Sequence, residues 1–82
     1  MDSNLELEFD GMDGTACETF VLAIQRHGRR EGRMMDDEWM AELASICLTG
    51  SALRWWSTLA DDVQRSWRLL RAALFDRYPQ PR

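Results

Sequence analysis

Eighty-two residues fit a single domain, and a chain this short buries a modest share of its surface, so each large apolar side chain counts heavily. An apolar fraction of 45% excludes a disordered composition, and no apolar run reaches the length of a membrane span. The net charge of −4 disfavours nucleic acid as the main ligand, because phosphate binders carry a basic stripe.

Acidic residues follow Met1 where a secretory leader would be basic and then apolar. Cys17 and Cys47 are too few for a disulfide framework, and both fall on apolar helical faces, as buried free thiols do. An intracellular, most simply cytoplasmic, compartment fits.

Residues 1–8 are polar and acidic, and residues 5–9 alternate apolar and acidic side chains through Leu5, Leu7 and Phe9. That pattern suits either an extended segment docked on an apolar surface or a loose terminus. Gly11 and Gly14 mark a turn. Thr15 and Glu18 form a capping box, after which Cys17, Phe20, Val21 and Ile24 share one helical face. The helix is expected to fade near Gly28, with Gly28 and Gly32 breaking an arginine-rich loop.

Asp36 and Asp37 cap a second helix, whose expected buried stripe is Trp39, Leu43, Ile46 and Cys47, flanked by Met40. Thr49 or Ser51 caps a short third helix, with Ala52, Leu53, Trp56, Leu59 and Ala60 on one face. Trp55 lies about 100° round from Trp56 and either covers a core edge or lines a groove. Residues 61–64 read as a linker or a single helical turn. Ser66 caps the last helix, which buries Trp67, Leu70, Leu74 and Tyr78 with Ala73 beside them, and Pro79 and Pro81 end the structure. The expected core is Phe20, Ile24, Leu43, Leu53, Trp56, Trp67, Leu70 and Leu74.

Chemistry needs polar groups converging in a cleft, and the chain offers few. His27 is the lone histidine, with no third member for a triad, and two distant cysteines plus one histidine do not make a zinc site. No glycine pattern suits a phosphate loop. No catalytic residue, metal ligand or cofactor is therefore expected, and the chain reads as a binding protein rather than an enzyme. Arg26, Arg29, Arg30 and Arg33 suit either an anionic partner, RNA or a neighbouring subunit, or a solvated loop. The last helix carries a second apolar row, Leu69, Ala72 and Phe75, opposite its core stripe. Either the N-terminal segment covers that row or a second copy does, most simply as a two-fold dimer with Arg68 and Arg71 at its polar rim.

The order of these features is itself informative. Phe9-Asp10-Gly11, then a helix, then Trp39, then Leu48-x-Gly50-x-Ala52-x-x-Trp55-Trp56, then Ser66-Trp67-x-x-Leu70 and Tyr78-Pro79 resembles the capsid part of Gag from gypsy-class long-terminal-repeat retrotransposons. It is also similar to the domesticated Arc capsid amino-terminal lobe. The resemblance runs from Phe9 to Pro79. It implies an all-α, four- to five-helix orthogonal bundle of the retroviral-capsid-like kind. An extended segment at 1–8 would precede the lobe at 9–79, and a tail at 80–82 would follow it. The implied function is self-association, as capsid-type assembly or dimerisation. The alternative is a domesticated adaptor that binds short extended peptides in a hydrophobic groove, with Leu5, Leu7, Phe9 and Trp55 at that groove. In a full capsid protein a second lobe would follow, and neither a zinc knuckle nor a retroviral-type protease signature stands within these residues.

Overall fold

Helices begin and end where side chains or backbone turns can satisfy their orphan polar groups, and that logic sets the layout. The structure, a computed structural model, describes residues 8–12, 14 and 16–79. It contains five helices: α1 Ala16–Arg30, α2 Asp37–Ile46, α3 Gly50–Trp56, α4 Asp61–Gln64 and α5 Trp67–Arg77. The described residues contain no strand, only an isolated parallel bridge between Phe9 and Leu48. The fold is a small all-α bundle. The capping box at Thr15 lies outside the described residues.

α1 does not fade at Gly28. It continues to Arg30, and Gly28 is buried within it. A Cβ there would run into the thioether of Met40. The glycine is a point of close approach between α1 and α2. The actual stop is a Schellman motif, with Arg33 N–H donating to the Gly28 carbonyl at 2.8 Å and Gly32 N–H to Arg29 at 3.1 Å. Gly32 takes the left-handed position, φ 72°.

Asp36 caps α2 by accepting from Trp39 N–H at 3.1 Å. Ser66 caps α5 by accepting from Leu69 N–H at 3.3 Å. Asp37 also serves α5. Its carboxylate accepts from Arg68 N–H at 3.0 Å and from the Ser66 hydroxyl, so the first residue of α2 is tied to the amino end of α5. α1, α2 and α4 each pack on α5, and α1 and α4 also meet α2.

The core unites Phe9, Cys17, Phe20, Val21 and Ile24 with Met40, Ala41, Ala44, Cys47, Leu48, Ala52, Trp67, Leu70, Leu74 and Tyr78. Three expected core residues are not fully buried. Leu43 and Trp56 are half-buried, and Leu53 is 43% exposed. On α2 the buried face is Met40, Ala41 and Ala44; of the expected stripe Cys47 is buried, whereas Trp39, Leu43 and Ile46 lie about 100° round from that face. The two alanines let α2 lie close to its neighbours, and Ile46 is left 73% exposed. On α3 only Ala52 is fully buried. Its N–H donates to the Asp10 carbonyl at 3.1 Å, and Gly11 sits against it. That backbone contact has room for a methyl group, and while Leu53 is turned outward, Trp56 packs half-buried against the core.

Phe9 ties the amino-terminal segment to the bundle. Its N–H donates to the Cys47 carbonyl and its own carbonyl accepts from Thr49 N–H, each at 3.0 Å. The ring stacks on Phe20 at 5.3 Å and meets Tyr78 edge-on at 5.2 Å. Gly11 has φ 79°, and a Cβ on it would lie 2.6 Å from the Tyr78 hydroxyl. The corner at 9–11 therefore needs glycine both for its backbone and for its clearance.

Candidate functional site

Among the described residues the nucleophilic and metal-ligating side chains do not converge, and no three His, Cys, Asp or Glu side chains gather as a metal site. His27 lies beside Trp39, with ring planes 4° apart and centroids 6.4 Å apart. Burial, with a smaller effect from Glu18, pushes the Cys17 thiol up to about 11. Burial and then Glu8 raise Cys47 as well. Both are free thiols inside the core, protonated and shielded, which is the inert state of cysteine. No helix among the described residues is long and apolar enough to cross a membrane.

What the molecule does present is apolar surface on α5, α2 and α1, besides the single exposed Leu53 on α3. On α5, Trp67, Leu70 and Leu74 point inward, whereas Leu69 is 39% exposed and Ala72 is exposed. Phe75 is half-buried and packs against the core, so the second row of α5 is partly covered by the chain's own fold. Arg68 is exposed at its edge. Arg71 is engaged within the molecule, donating to Gln25 Oε1 at 2.8 Å.

The residues assigned to a peptide groove are separated. Phe9 is enclosed between Phe20 and Tyr78, so its ring forms no groove wall. Trp55 is half-buried and meets the Tyr78 ring edge-on at 5.9 Å, covering a core edge. Leu5 and Leu7 lie outside the described residues.

Sequence reasoning missed the outer face of α2. Trp39, Leu43 and Ile46, at i, i+4 and i+7, line an open groove with Glu42. Behind the ridge of Glu38, Glu42 and Ser45 a second hollow is bounded by Trp56, Gln64 and Arg65. The Glu38 and Glu42 carboxylates have no ion pair or hydrogen bond among the described residues. The Trp56 indole N–H is likewise buried without a hydrogen-bond partner there. The signal that could have exposed this face is the competing row of Met40 and Ala44, one residue along from Trp39 and Leu43.

α1 carries the third surface. Leu22, 45% exposed, lines a shallow hollow with Gln25, Arg26 and Arg29. The arginine cluster is thus mainly helical, with Arg26, Arg29 and Arg30 exposed on α1. Arg33 stands in the following turn, paired with Asp36 at 3.3 Å and placed over the Trp39 ring at 5.8 Å. No family model, no curated protein and no solved structure matches the chain.

Proposed function

We propose that this chain is a protein-binding helical lobe that works by self-association, of the kind found in retrotransposon Gag capsids, and that it catalyses no reaction. The order of motifs from Phe9 to Pro79 supports the Gag-like reading. The observation that carries self-association is the outer row of α5. Leu69 and Ala72 face away from a helix whose other side is already filled by Trp67, Leu70 and Leu74. α1, α2 and α4 pack on α5 and leave this row open, where a solvent-facing helix surface is normally polar. A two-fold contact between α5 helices buries that row in one step, with Arg68 at its rim.

Sedimentation equilibrium over a range of concentrations tests this reading. Leu69→Asp combined with Ala72→Asp is the informative variant, because both positions are exposed whereas Phe75 helps to fill the fold. The wild type is expected to gain mass with concentration, and the variant to stay a folded monomer with unchanged helical circular dichroism. A wild type that remains monomeric at high micromolar concentration sinks self-association and leaves the peptide-binding adaptor as the better reading.

A further inference from the structure

The outer faces of α1 and α2 are opposite in charge and alike in spacing. On α2, Trp39, Leu43 and Ile46 run along the surface beside the unpaired carboxylates of Glu38 and Glu42. On α1, Leu22, Arg26 and Arg29 repeat the same i, i+4, i+7 spacing, and neither guanidinium group has an ion pair or hydrogen bond among the described residues. α1 buries Cys17, Phe20, Val21, Ile24 and Gly28, so Leu22, Arg26 and Arg29 lie on its other side. α1 and α2 already meet at Gly28 and Met40, with Trp39 stacked beside His27, a seam that leaves Arg26, Arg29, Glu42 and Ile46 exposed. One molecule therefore displays two complementary surfaces that do not meet within it.

Resting on the self-association reading, we infer that the outer face of α2 in one copy seats the Leu22–Arg26–Arg29 face of α1 in a second copy. Leu22 enters the groove at Leu43 and Ile46, and the guanidinium groups reach Glu38 and Glu42. Arg65 borders the same two glutamates from its own molecule without pairing to them, so the local balance still favours an added cation. The contact is head-to-tail. Each copy in a pair keeps one face free, so association propagates instead of stopping at two. The patch is small, so a single contact is weak, and its charged part is screened as salt rises. An apolar α5 contact is not weakened by salt in that way.

The test is light scattering at low and high ionic strength on the wild type, Glu42→Arg, Arg26→Glu, and an equimolar mixture of these two variants. Each single reversal is expected to raise the concentration for half-assembly by about tenfold. Mixing them, or placing both in one chain, restores assembly because the reversed charges meet. Both sites are exposed on helices, and circular dichroism verifies that the variants fold. The same series in the Leu69→Asp, Ala72→Asp background separates the two contacts. Salt-sensitive growth that persists there and follows the charge reversals supports the head-to-tail contact. Growth abolished by the α5 changes yet indifferent to every reversal overturns this inference and leaves the two-fold reading standing. Single reversals that weaken assembly without rescue on mixing also overturn it. A wild type monomeric under all conditions overturns both.

Discussion

Asp37 shows how one side chain can carry more than its position in the sequence suggests. Read along the chain, it is an acidic residue in the first turn of α2, where a negative charge suits the positive helix end. In the fold its carboxylate also closes the amino end of α5, accepting from Ser66 and Arg68. The Ser66 hydrogen bond is the main reason its pKa is lowered, with burial opposing and the Arg68 N–H adding to the effect. A depressed carboxylate contributes stability that is present above its unfolded pKa, about 3.9, and that is lost as pH falls through the lower folded value. Asp37→Ala is expected to cost about 1 kcal/mol near neutrality, as a lost helix cap does. Denaturant titrations from neutral pH into the acid range should show wild type and variant converging as Asp37 protonates. A gap that stays constant with pH would mean that the carboxylate charge contributes nothing. No sequence pattern announces this contact, because Asp37 and Ser66 are 29 residues apart.

At the scale of elements, periodicity located the helices better than it oriented them. The serine and aspartate caps at Asp36 and Ser66 stand at the starts expected of them, since capping is local chemistry. α5 also buries its expected stripe of Trp67, Leu70, Leu74 and Tyr78. α2 differs because two apolar rows one residue apart compete, and the larger side chains lost. Interhelical distance decided it. The alanines and the Met40–Gly28 contact let α2 settle closely, whereas a row of Trp39, Leu43 and Ile46 would hold it away. The Gly28 reading failed for a related reason, because a glycine that breaks a helix and one that admits a neighbour look identical in one sequence. A pair of substitutions reads the register of α2 directly. Ile46→Glu changes an exposed position and should alter stability by no more than about 0.5 kcal/mol. Met40→Ala empties a fully buried position and should cost about 2–5 kcal/mol. Thermal melts in which Ile46→Glu is the damaging change would restore the expected stripe and refute the observed one.

For the whole molecule, the feature that organises the bundle is the shortest one, the extended stretch around Phe9. Four aromatic rings connect in series: Phe20 on α1, Phe9, Tyr78 after α5, and Trp55 on α3. The series joins α1 and α3 to the carboxyl end of α5. Two backbone hydrogen bonds hold Phe9 beside residues 47–49, fixing where α2 ends and α3 begins. The alternation around Phe9 made a docked segment legible as one of two options. The ring's two partners were not legible, because nothing in the sequence pairs Phe9 with Phe20 on α1 or with Tyr78 beyond the end of α5. Phe9→Ala removes the central ring from a fully enclosed site and should cost about 3–5 kcal/mol, a large part of the about 5–15 kcal/mol that stabilises a typical domain. Phe9→Leu keeps most of the volume and loses the ring contacts, worth about 0.5–1.5 kcal/mol for each aromatic pair. Urea unfolding followed by circular dichroism should therefore rank wild type above Phe9→Leu, and Phe9→Leu well above Phe9→Ala. If Phe9→Ala unfolds at the wild-type midpoint, the segment only rests on the bundle. If the expected order holds, the loss of one residue before the first helix loosens three helices together, and both outer surfaces on α1 and α2 lose the frame that spaces them.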